Sequence, residues 1–233
     1  MSTRGLIFYL VLEALLLCLI ETGIYMSWNG QIVNTLMYAA ILINTIVVAY
    51  RFFRLRADQR SAHDKFIAYA IFVTAVADIF LTLIGSADTF LPGVILFCMV
   101  QIIYAIYLYP TAKSLLIRVA LFAICLLLLK IFEMLSLSNA FGLLDISLLL
   151  VNVIIAWTLT RVKIPLLFRI GITLFLCCDL SIALRIFTTG EAFGIIGLLV
   201  WLFYIPSQVL ITLSYLSSTS VSRSVSENRP LTH

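Results

Sequence analysis

Long apolar runs separated by short polar clusters organise this chain, at about 5–26, 31–52, 66–85, 91–109, 113–132, 140–160, 166–187 and 194–216. Each run holds the roughly 20 mostly apolar residues that a helix needs to cross a hydrocarbon core of about 30 Å. None shows the alternation of a membrane barrel strand, so the pattern predicts an all-α, polytopic bundle of about eight transmembrane helices. The longest internal break, RLRADQRSAHDK, covers only 54–65, which leaves residues 1–216 as one transmembrane domain. The serine-rich end, SSTSVSRSVSENRPLTH (217–233), reads as a flexible cytoplasmic tail. The first run is not read as a cleavable signal: it is long, carries Glu13, and ends in TGIYMSWNG without a small-residue cleavage site.

Composition agrees with the pattern. Of 233 residues, 63% are hydrophobic and 11% charged, against roughly 25% charged in a soluble domain, and mean hydropathy is +1.15. The net charge of +4 carries topology. With the N-terminus inside, thirteen of the 15 basic residues fall on or near the cytoplasmic side. They are Arg4, Arg51, Arg54, Arg56, Arg60, Lys65, Lys113, Arg118, Arg161, Lys163, Arg169, Arg223 and Arg229. Lys130 and Arg185 fall outside, with Arg185 expected to snorkel outward. The positive-inside rule then places both termini in the cytoplasm, and the expected location is the cytoplasmic membrane of a bacterium. No basic run sits on a soluble domain, so no nucleic-acid partner is expected. The five cysteines lie within helices without CxxC spacing and read as packing residues. His63 in the basic loop and His233 in the tail exclude a buried histidine-ligated zinc site, and no metal or cofactor is expected.

The candidate chemistry is acidic. Asp78 in FVTAVADIFLTL and Asp179 in ITLFLCCDLSIAL stand deep in apolar runs, 101 residues apart. A carboxylate at that depth costs roughly 2.5–3.5 kcal/mol on insertion scales, which makes such a residue a functional candidate. Each lies about 18–20 Å from the cytoplasmic end of its helix. The helix after each carries a polar stripe: Gln101 and Tyr104 in the first half, Tyr204 and Gln208 in the second, with Trp201 and Thr212 extending the latter. A parallel four-plus-four duplication accounts for the pairing. Glutamine, threonine and tyrosine on such faces also serve as interhelical glue, a role that does not call for an acid. Glu13, with Glu21 on the same face, is a further mid-membrane candidate, whereas Asp145, close to a helix end, is expected to be interfacial.

These segments resemble the YhhN/lysoplasmalogenase family. FVTAVADIFLTL followed by LPGVILFCMVQIIYAIYL is similar to its first signature, and RIGITLFLCCDLSIALRIF followed by FYIPSQVLITLS to its second. The resemblance covers about residues 66–216. Ala77 stands where the family favours glycine, Cys178 where it favours serine, and Gln101 where many members carry histidine; a lysine-proline step is missing.

The resemblance implies hydrolysis of the vinyl-ether bond of lysoplasmalogens to a fatty aldehyde and a glycerophospho-alcohol, with a membrane lysophospholipid as substrate. Asp78 and Asp179 would be the catalytic pair. One carboxylic acid protonates the vinyl β-carbon, and an ionised carboxylate steadies the oxocarbenium ion that water captures, a division of labour like that of glycosidases. Gln101, Tyr104, Tyr204, Gln208 and Glu13 are the candidate substrate-binding residues. Two other readings use the same acids: a catalytically silent relative that binds lipid or protein, and a small-solute transporter exploiting Pro206. An intramembrane aspartyl protease lacks its glycine-rich aspartate and Pro-Ala-Leu motifs here.

Overall fold

Inside a bilayer every backbone N–H and C=O must be satisfied by the chain itself, and continuous helices achieve this segment by segment. The computed structural model describes residues 2–55, 62–108, 111–131, 133–134, 136–158, 164–185 and 191–227. Among these the chain forms α1 (Thr3–Tyr25), α2 (Gly30–Arg54), α3 (Ala62–Asp78), α4 (Ala87–Tyr107), α5 (Ala112–Ile131), α6 (Leu137–Thr158), α7 (Leu166–Arg185) and α8 (Glu191–Glu227). All eight carry a stretch long and apolar enough to span a membrane, and no span end lies more than three residues from its expected place. Helix α8 continues past its apolar span to Glu227, so helix occupies the first part of the segment read as a tail. Arg56, Arg60, His63, Arg161, Lys163, Arg229 and His233 contribute to the sequence reading; of these, all but His63 lie outside the described residues.

Local chemistry shapes the turn beside Asp78. Helix α3 widens there into a π-helical turn, Ile79–Ile84, a distortion that recurs at functional sites. Gly85 ends it in the left-handed conformation, φ 59°, which residues with a side chain rarely adopt. Ser86 then starts α4 with a reciprocal cap. Its hydroxyl accepts from the Thr89 N–H at 3.3 Å, and Thr89 Oγ1 accepts from the Ser86 N–H at 3.1 Å. Thr89 Oγ1 also donates to Phe80 O at 2.9 Å, which ties the head of α4 to the π turn.

Packing places α8 at the centre, against α1, α2, α3 and α7, while α5 lies at the edge, chiefly against α6. Small residues let membrane helices approach closely. At Gly171 on α7 a Cβ would lie 2.8 Å from Ile211 Cγ1 and 3.1 Å from Ser207 O, both on α8. The surface is apolar and the interior partly polar, the reverse of a soluble protein. Leu115, Leu116 and Val119 of α5 are exposed, whereas Asn44, Gln101 and Asn152 are buried.

Candidate functional site

Three helices each bring one carboxyl to a single cavity of about 490 Å³. Asp78 comes from the end of α3, Asp145 from α6 and Asp179 from α7, and their exposures are 3%, 7% and 8%. The cavity occupies the part of the bundle next to the α3–α4, α5–α6 and α7–α8 connections, walled by side chains such as Phe97, Leu129, Ile146 and Phe175. Trp201 and Tyr204 of α8 close one side. Tyr204 is held by ring contacts with Trp201, Phe97 and Phe175 at centroid distances of 5.5, 6.4 and 5.7 Å.

The carboxyls have two distinct settings. The Tyr204 hydroxyl donates to Asp78 Oδ2 at 2.5 Å, and Thr82 Oγ1 donates to Asp78 Oδ1 at 3.3 Å. Both oxygens of Asp78 therefore act as acceptors, the pattern that suits an ionised carboxylate. Asp145 and Asp179 face the same cavity from the neighbouring helices α6 and α7. Asp145 Oδ1 and Asp179 Oδ2 are buried and have no hydrogen-bond partner among the described residues. A buried polar atom without a partner is costly, so these two oxygens are the natural contact points for a ligand or water.

Asp145 departs from its expected place. It is not at the helix end: it is the ninth residue of α6, buried in the lining of the cavity that Asp179 shares. The signal that could have found it is Asn152, seven residues on and therefore on the same helix face. Asn152 leads into a buried polar chain behind the acid. Its Nδ2 donates to Gln101 O at 2.9 Å, and its Oδ1 accepts from Arg118 Nη2 at 2.7 Å. Arg118 Nη1 in turn donates to Ser114 Oγ at 3.0 Å. Arg118, counted by sequence among the cations on or near the cytoplasmic side, is thus drawn into the protein interior at 5% exposure.

The remaining candidates divide. Tyr204 joins Asp78 and Asp179 at the cavity, while Gln101, Tyr104, Gln208 and Glu13 are not in its lining. The Gln101 side chain is buried beside Asn152, whose Nδ2 donates to Gln101 Oε1 at 3.4 Å, and its Nε2 has no hydrogen-bond partner among the described residues. The Tyr104 ring packs edge-on against Phe168 at 5.4 Å, and its hydroxyl has no partner among the described residues. Gln208, one turn along α8 from Tyr204, is buried beside Ser207. Glu13 belongs to a separate cluster between α1 and α2. Its Oε1 accepts from Asn44 Nδ2 at 2.8 Å, and Asn44 Oδ1 accepts from the Tyr9 hydroxyl at 2.6 Å.

Fold and site together define a polytopic helical membrane protein with an internal cavity that gathers three carboxyl groups. The sequence profile of the YhhN family matches residues 35–215, and the chain belongs to that family. The match takes in α3, α4, α6, α7 and the apolar part of α8, and so every acid of the cavity. The family is associated with lysoplasmalogenase activity. No curated protein and no solved structure matches the chain significantly.

Proposed function

We propose that this protein hydrolyses the vinyl-ether bond of lysoplasmalogens, releasing a fatty aldehyde and a glycerophospho-alcohol. The observation that carries the reading is the gathering, in one apolar cavity, of two carboxyls with buried oxygens short of partners, suited to carry a proton, beside a third carboxyl that accepts from Tyr204 and Thr82. Vinyl-ether cleavage needs both kinds of group. The Asp145–Asp179 pair supplies the proton, with Asp179 facing the cavity as the acid, and delivers it to the β-carbon of the alkenyl chain. Positive charge then develops on the α-carbon and the ether oxygen. Asp78, fixed by Tyr204 and Thr82, is the counter-charge; a preorganised group of this kind acts strongly where water is excluded. Water adds to the α-carbon, its surplus proton returns to the carboxyl pair, and the hemiacetal collapses to aldehyde and alcohol. The apolar walls hold the alkenyl chain and limit the water that reaches the cation.

The test is aldehyde release by the purified protein in lipid nanodiscs. A 1-alkenyl lysophospholipid should yield aldehyde, its 1-acyl analogue should yield no fatty acid, and Asp78→Asn and Asp179→Asn should each lose about 10²–10⁴-fold. Wild-type protein that binds the alkenyl lipid and releases nothing would establish the silent-binder reading instead.

A further inference from the structure

Charge in the cavity is one-sided. Three acids line it, Asp78, Asp145 and Asp179, and the cation of its described lining is Arg185. Arg185 already has a partner within the protein. It is also six residues beyond Asp179 on α7, about 9 Å by helical rise. The acids are each more than nine-tenths buried. Asp145 Oδ1 and Asp179 Oδ2 lack a hydrogen-bond partner among the described residues, and a carboxyl oxygen short of a partner calls for a donor. Asp78 accepts from Tyr204 and Thr82, both neutral groups. Aromatic rings stand around it: Phe97, Phe175 and Trp201 also line the cavity, and each packs on Tyr204 with centroids 5.5–6.4 Å apart.

We propose that the cavity binds a single-chain amphiphile through a primary ammonium group, with a long-chain alkylamine as the ligand. An ammonium head brings three N–H donors and a positive charge. The unpartnered oxygens of Asp145 and Asp179 take donors, and Asp78 supplies the opposite charge. Charge-assisted hydrogen bonds of this kind are stronger than neutral ones. The rings of Trp201, Tyr204, Phe97 and Phe175 add their own attraction for a cation, which grows where water is excluded. Apolar walls such as Leu81, Val94 and Leu129 take the hydrocarbon chain. A volume of about 490 Å³ lies within the range of small-ligand sites. A zwitterionic lysolipid would bring a phosphate against three carboxyls, and a free amine does not, so the amine is the better match. The binding does not depend on the hydrolase reading. Its consequence for catalysis does: the ammonium stands where positive charge develops during vinyl-ether cleavage, so the amine should compete with the lysolipid and slow aldehyde release.

The test is binding in nanodiscs at neutral pH, read by the fluorescence of the cavity residue Trp201, with partition of each ligand into protein-free discs subtracted. Dodecylamine, dodecanol and lauroyl lysophosphatidylethanolamine are titrated into wild type, Asp78→Asn and Asp179→Asn. Wild type should bind the amine about tenfold to a hundredfold more tightly than the alcohol. Each variant should lose most of that preference and keep its dodecanol affinity, which also shows that it is folded. Dodecyltrimethylammonium, charged but without N–H donors, should fall between amine and alcohol. Equal affinity of wild type for amine and alcohol would overturn the proposal, and that comparison needs no variant. Amine binding that neither substitution weakens would do the same. The lysolipid should lose little in Asp78→Asn; a loss as large as the amine's would assign the ammonium to a headgroup and overturn the choice of ligand. Amine-selective binding by a protein that releases no aldehyde from an alkenyl lipid would remove the hydrolase reading and leave the ammonium site standing. Aldehyde release without any amine preference would do the reverse.

Discussion

The hydroxyl of Tyr204 donates a 2.5 Å hydrogen bond to Asp78 Oδ2 across 126 residues of sequence. It joins α8 to the point where α3 widens into its π turn. Because Thr82 takes the other oxygen at 3.3 Å, Asp78 is fixed between a central helix and its own. Removing the tyrosine hydroxyl should therefore affect both fold and chemistry. Tyr204→Phe should lower stability by about 1–3 kcal/mol, the cost of leaving a buried acceptor short of a donor. Aldehyde release should fall further than the fraction of folded protein. Thermal unfolding in detergent and turnover per folded molecule measure the two effects separately.

Asp145 and Asp179 should behave as one unit. Each Asp→Asn change leaves the pair with a single carboxyl and should cost about 10²–10⁴-fold in turnover. The double variant should be little worse than either single, because residues acting together are strongly non-additive. A double-mutant cycle on kcat with lysolipid affinity measured in parallel checks this; multiplicative losses would mean that the two carboxyls act independently.

Gly171 supports the site from a distance by letting α7 approach α8. Gly171→Ala pushes a Cβ to 2.8 Å from Ile211 Cγ1 and 3.1 Å from the Ser207 carbonyl. The backbone cannot yield as a side-chain tip can, so the expected loss is roughly 1–3 kcal/mol. Gly194→Ala, in the same helix pair but with nothing within 4 Å of its Cβ, should be neutral or slightly stabilising. Unfolding midpoints of the two variants give the comparison.

Topology follows from charge. Reporter fusions after Leu216 and within 54–65 should read cytoplasmic, and one at Ser86–Thr89 should read outside, given thirteen basic residues against two. An external C-terminal reporter would overturn the orientation.

The spans were legible because length and apolarity alone define them, and neither depends on tertiary contacts. Asp78 and Asp179 were legible for a related reason: an acid in the middle of a long apolar run contradicts its surroundings. Asp145 carries the same charge but stands nine residues into α6, where sequence cannot separate a buried acid from one at the interface. Its burial depends on α7 lying alongside, which no local pattern encodes. The polar stripes after each aspartate suggested equivalent tyrosines, yet their settings differ. Tyr204 meets Asp78, while Tyr104 is stacked on Phe168. Internal likeness in sequence indicates which residue types recur and not which contacts they make. Glu13 stood out by the same reasoning as the aspartates, and the structure gives it a partner in Asn44 away from the cavity. Depth in the membrane marks an acid as needing a reason, and a local hydrogen-bond cluster is one such reason.

The central claim is that the cavity carboxyls deliver a proton to carbon, and deuterium incorporation tests it most directly. Purified protein is incubated with a 1-alkenyl lysophospholipid in D₂O, and the released aldehyde is reduced at once and analysed by mass spectrometry. Protonation of the vinyl β-carbon predicts one deuterium at carbon 2 of the product, with the yield collapsing in Asp179→Asn and Asp78→Asn. Aldehyde without deuterium at carbon 2, or wild-type yields from both folded variants, would contradict the account.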